Sequence, residues 1–155
     1  MTTPSIMVRR VEATQAVVDT WRGRPFVWGT ADCARLAAAM LSELGWRPGL
    51  ARAGFYKGAL GAAKAFRKLG FADAADWMDD VGMIRIPPAA ALPGDILGFR
   101  HADQPLGVGL AVAVGNGRAL AFMDNGDGLG PTCHIFPPVM TVEDVDYLAW
   151  RADPR

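Results

Sequence analysis

The sequence predicts an α+β fold with N-terminal helices packed on a C-terminal antiparallel sheet. Three observations lead there. Apolar residues recur at helical spacing through the first half of the chain. Proline and glycine breakers cluster between Pro87 and Gly94. Beyond them come short apolar runs separated by Gly-Asn-Gly and Asp-Asn-Gly turns. Helices and strands segregated in this way indicate α+β rather than alternating βα units. The chain of 155 residues is one domain's worth of sequence, 1–155, with a helical half at about 8–82 and a β half at about 83–151.

Residues 8–22 read as an amphipathic helix, with Val8, Val11, Val18 and Trp21 near one face and Arg9, Arg10, Glu12 and Asp19 off it. Arg9-Arg10 and Arg22-Gly23-Arg24 read as a solvated basic face and its end. Pro25-Phe26-Val27-Trp28-Gly29 is an extended apolar approach. The clearest helix follows, Ala31–Leu44, with Leu36, Met40 and Leu44 every four residues. Asp32 stands where an N-cap belongs, Gly45 is the C′ residue, and Pro48 forbids continuation. Two alanine-rich helices are expected at Leu60–Leu69 and Ala72–Asp80. Strands are expected at Asp95–Phe99, Val108–Val114, Arg118–Met123, His134–Phe136 and Val145–Trp150. Gly115-Asn116-Gly117 makes the second and third of these a hairpin.

Composition excludes several classes. With 51% hydrophobic and 21% charged residues the chain is not intrinsically disordered. Sixteen basic residues balance sixteen acidic ones, against the basic excess of a dedicated nucleic-acid binder. The longest apolar run, Leu106–Gly115, is about half of a membrane span. No secretory signal is visible, because Arg9, Arg10 and Glu12 interrupt the N-terminus. Two cysteines and two histidines show no zinc spacing, so no metal or cofactor is expected. Asp124–Gly128 lacks the spaced ligands of a calcium loop and reads as a turn. Gly54, Gly58 and Gly61 lack the Gly-Lys-Ser/Thr of a phosphate loop. Some of the five tryptophans are candidates for contact surface.

The site candidate is Cys33. It falls in the first turn of the Ala31–Leu44 helix, where free N–H groups and the helix dipole favour a thiolate. That placement suits a nucleophile; it equally suits a small buried core residue. His101, in the loop after the Asp95–Phe99 strand, is the candidate base; the alternative is a solvated loop histidine. His134 adjoins Cys133, and neighbours in a strand point to opposite faces. Asp32 is read as helix cap and site support, and Asp95 as a strand-start residue serving the backbone.

Phe26-Val27-Trp28-Gly29, then Asp32-Cys33 opening a helix, then Pro93-Gly94-Asp95 opening a strand, resembles the NlpC-type cell-wall endopeptidases. The likeness extends to an NlpC-like group encoded in phage tail gene clusters. There the similar pieces are the Gly61–Gly70 helix and the closing Ala149-Trp150-Arg151. The resemblance covers roughly residues 15–151 and implies a papain-like domain with Cys33 as nucleophile. It also implies a histidine at the position of Gly109 and a third polar residue near Ala121. Neither is present. A cysteine attacking an amide needs a base and a group to orient it. The expectation is therefore a phage tail tip or tail-assembly protein with a degenerate site, located in the virion tail and partnered by other tail proteins. The alternative is an active cysteine peptidase that cleaves peptidoglycan peptides during genome delivery.

Overall fold

The computed structural model describes residues 2–138 and 145–155. Four helices, α1 (Ile6–Trp21), α2 (Cys33–Glu43), α3 (Ala59–Lys68) and α4 (Ala74–Val81), precede most of the sheet. The strands are β1 (Ile84–Arg85), β2 (Ile96–Arg100), β3 (Val108–Gly115), β4 (Arg118–Met123), β5 (Thr132–Phe136) and β6 (Asp146–Arg151). They form an antiparallel sheet in the order β1-β6-β2-β3-β4-β5. The α+β architecture, helices on one face of the sheet, is the one expected.

Helix boundaries follow caps. The Ser5 side chain accepts from the Val8 N–H at 3.2 Å and starts α1 two residues before the expected position. Asp32 caps α2 and Asp73 caps α4, each accepting an N–H three residues on at 2.9 Å. The β3–β4 turn has φ 55° at Asn116 and 69° at Gly117, the left-handed pair that a two-residue hairpin needs.

One expectation about α1 is overturned. Its inward stripe is Arg10, Thr14, Val17, Val18 and Trp21, while Val8 and Val11 are exposed. Arg10 is not a solvated residue but fully buried. The reason is Asp95, also fully buried, whose Oδ1 lies 3.0 Å from Arg10. Arg10 further donates to the Pro93 carbonyl at 2.9 Å and the Asp153 carboxylate at 2.7 Å. Asp95 also accepts from Arg151 Nε at 3.0 Å and from the N–H groups of Leu92 and Ala152 at 2.8 and 2.9 Å. Thus Pro93-Gly94-Asp95 and Ala149-Trp150-Arg151 meet around one buried ion pair. Their role is to join α1 to the neighbouring strands β2 and β6.

Helix α2 packs against α1 and β3 through Leu36, Ala37, Met40 and Leu41, all at most 1% exposed. The main core lies between the helices and the sheet and includes Ile96, Val112, Leu120 and Trp150. The other face of the sheet carries Leu97 and buried alanines 111, 113, 119, 121 and 149, flanked by Phe99 and Phe136. The free edge of β5 is covered by the segment after α1. Gly23 and Phe26 donate to the carbonyls of Cys133 and Pro131 at 2.7 and 3.0 Å, and Cys133 donates to Arg24 at 2.9 Å. This pairing fixes the chain that leads to Cys33. Among the described residues no helix is long and apolar enough to cross a membrane.

Candidate functional site

The approach to Cys33 is a tight reversal. Val27 and Ala31 exchange backbone hydrogen bonds at 2.8 and 2.9 Å, with Gly29 between them at φ 84°. A side chain at Gly29 would collide with the Tyr56 carbonyl, so the backbone requires glycine there. Asp32 ties the reversal to the helix. Its Oδ1 accepts from the Arg35 N–H, and its Oδ2 accepts from the Gly29 N–H at 2.9 Å and the Tyr56 hydroxyl at 2.8 Å. The Tyr56 phenol is held protonated by burial first and by the Asp32 charge second.

Replacing Asp32 by Ala is expected to cost about 2–4 kcal/mol, because the cap is lost and two buried donors lose their acceptor. Asp32→Asn keeps an acceptor oxygen and is expected to cost less than half of that. Urea unfolding of the three proteins checks the order; equal losses for Ala and Asn would contradict it.

Cys33 opens α2, is partly buried, and borders a cavity of about 650 Å³. Burial pushes its thiol up from 9.0 to about 11, opposed by the N–H groups of Leu110, Ala34 and Cys33 and assisted by the Asp32 charge. The thiol is therefore neutral at pH 7, because removal from water outweighs the helix terminus. Cys133 is fully buried in the core and its thiol is pushed up to about 12 by burial.

Gly109 and Ala121, the positions that the resemblance implies for the histidine and its orienting partner, line the same cavity as Cys33. Both are devoid of acid–base chemistry. An added methyl at Gly109 would stand 3.0 Å from Gln104 Oε1 and 3.3 Å from Nε2, so the Gln104 carboxamide crowds the space that a side chain at 109 would enter. Two backbone turns, Gln104 N–H to the His101 carbonyl and Gly107 N–H to the Gln104 carbonyl, bring it there.

His101 does not line the cavity. Its Nδ1 accepts from the Asp103 N–H at 3.1 Å and lies 3.5 Å from the Asp103 carboxylate. His134 pairs with Ala121 across β4 and β5, sits on the face opposite Cys133, and has Nδ1 3.5 Å from the Thr132 hydroxyl. It does not line the cavity either. Among the described lining residues there is no imidazole, carboxylate or amine. Gln104 is the residue the sequence reading missed, since it lies in a polar loop stretch with no periodic signal. Asp124–Asn125–Gly126–Asp127 forms successive side-chain-to-backbone turns, with Gly126 donating to Asp124 Oδ1 at 2.8 Å and Leu129 to Asp127 Oδ1 at 2.9 Å.

Similarity to known structures concerns the whole chain. NlpC1 from Trichomonas vaginalis superposes with a TM-score of 0.57 at 18% identity, over 98% of this chain and 46% of that one. An NlpC/P60 family protein from Bacillus cereus ATCC 10987 gives 0.59 at 13%, over 99% of this chain and 42% of that one. NlpC2 from Trichomonas vaginalis gives 0.55 at 17%, over 97% and 49%. The chain thus spans less than half the length of each. At these identities the likeness shows the fold, and the fold is NlpC/P60-like. No curated protein matches the sequence. Residues 9–135 match the family described as "Domain of unknown function (DUF6950)", and the chain, with its buried Arg10–Asp95 joint and its cysteine-headed helix, belongs to that family.

Proposed function

We propose that this chain is a structural and interaction component, of phage tail tip or tail-assembly type, built on an NlpC/P60-like fold whose catalytic centre is degenerate. One observation carries the degenerate site. Cys33, Gly109 and Ala121 border one cavity, and no proton acceptor stands on its described walls. Attack by a thiol that ionises near pH 11 requires such an acceptor. The tail context and the virion location are supported by the resemblance of the Trp28-Gly29, Asp32-Cys33, Pro93-Gly94-Asp95 and Ala149-Trp150-Arg151 pieces to the group encoded in tail gene clusters.

The second reading is a cysteine peptidase acting on peptidoglycan peptides. It is favoured by the three backbone N–H groups gathered at the Cys33 sulfur, an arrangement that also suits an oxyanion. Incubation with cross-linked stem peptides, followed by mass spectrometry, separates the two. The proposal expects no new termini at stoichiometric protein. Cleavage that disappears in Cys33→Ala would overturn it. Mass spectrometry of purified particles from the source host tests the tail assignment: the chain is expected at fixed stoichiometry with tail proteins, and its absence would refute that assignment.

A further inference from the structure

We infer that the cavity beside Cys33 binds a neutral apolar molecule with one amide-type head, the head pairing with the Gln104 carboxamide. The inference rests on the proposed loss of catalysis and names the ligand class of the same site.

The cavity exists because the sheet parts there. Pairing between β3 and β4 runs from Gly115↔Arg118 to Val112↔Leu120 and is not continued toward Gly109 and Met123. Position 109 has no side chain and position 121 only a methyl group, so the gap is left open apart from the Gln104 carboxamide at its Gly109 side. Its walls are aromatic on both sides. Phe26 stands edge-to-face with Trp28 at 4.8 Å and with Phe122 at 5.4 Å, and Phe99 stands edge-to-face with Tyr147 at 5.6 Å. All five border the space. A volume of about 650 Å³ is that of a small-molecule site.

Charge then decides the class. No charged side chain stands on the described lining. Against the described walls, a carboxylate or ammonium would lose its hydration without gaining a counter-charge. Peptidoglycan stem peptides carry both groups and are disfavoured. The head is set by Gln104, which lines the cavity and whose carboxamide is hydrogen-bonded by none of the described residues. A carboxamide offers two donors and an acceptor in a plane. An amide head matches it reciprocally, and an apolar tail takes the aromatic walls.

The test uses the whole chain with N-phenyl-1-naphthylamine as a fluorescent reporter, displaced at pH 7.5 by decanamide, decanoate or decylamine. Decanamide is expected to displace the reporter at least tenfold better than either charged analogue. Ala121→Phe, which fills the parting of β3 and β4, and Gln104→Leu, which removes the partner of the head, are each expected to weaken decanamide at least tenfold. A second measurement leaves the cavity lining unaltered: in a Cys133→Ala background decanamide is expected to slow modification of Cys33 by methyl methanethiosulfonate at pH 9 at least fivefold. Failure of the reporter to bind, equal displacement by the charged analogues, or no protection of Cys33 would overturn the inference. In those cases uncleaved stem peptides would leave the non-catalytic reading standing, whereas Cys33-dependent cleavage would remove that reading as well.

Discussion

Asp95→Ala is expected to destabilise the protein by about 3–5 kcal/mol, because the buried Arg10 keeps only the exposed Asp153 as counter-charge and three further donors lose their acceptor. Arg10 and Asp95 are both fully buried and 3.0 Å apart. Removing the carboxylate strands the guanidinium in the core with the Pro93 carbonyl and the Asp153 carboxylate as its hydrogen-bond acceptors. It also strips the acceptor from the N–H groups of Leu92 and Ala152 and from Arg151. Four donors on α1, the β2 approach and the β6 end lose one hub. Arg10→Met should cost less, because Asp95 keeps Arg151 and two N–H groups. Urea unfolding monitored by tryptophan fluorescence measures both. A loss below about 1 kcal/mol for Asp95→Ala would mean that water enters the joint and that the pair is not a structural hub.

That joint also marks the boundary of what the sequence discloses. Local signals carried well. Asp32 capping α2, the Leu36–Met40 periodicity and the Asn116-Gly117 turn are each set by residues within a few positions of one another. Sheet order is not local: β6 lies between β1 and β2, and nothing in a two-residue strand such as Ile84–Arg85 announces its partner. The face of α1 was misread for the same reason. Arginine at position 10 reads as solvent-facing until its partner, 85 residues away, is known. The expectation of a histidine at Gly109 came from the resemblance and not from periodicity. The Gln104 carboxamide beside it had no signal, because a loop glutamine is positioned by turn geometry.

The second large effect concerns Cys33 itself. In a Cys133→Ala background, alkylation of Cys33 by iodoacetamide at pH 7.5 is expected to run about 100-fold slower than for a thiol ionising at 9.0, since only the thiolate reacts. The rate should climb about tenfold per pH unit and show no plateau below pH 10, in keeping with a pKa of about 11. The cause is burial, which the Leu110 and helix-start N–H groups offset only in part. The sign for stability follows. A thiol whose pKa is raised by folding favours the folded state fully below the unfolded value near 9.0, and that contribution is lost as pH rises through about 11. Two pH units amount to about 2–3 kcal/mol, so wild-type stability should fall more steeply between pH 9 and 11 than that of Cys33→Ala. A thiolate persisting below pH 7 would require a cationic partner at the sulfur, and the cavity offers none among its described walls. His101→Ala would then identify whether that imidazole folds back to the site. With a high-pKa profile, the same cysteine becomes a reporter of what fills the cavity beside it.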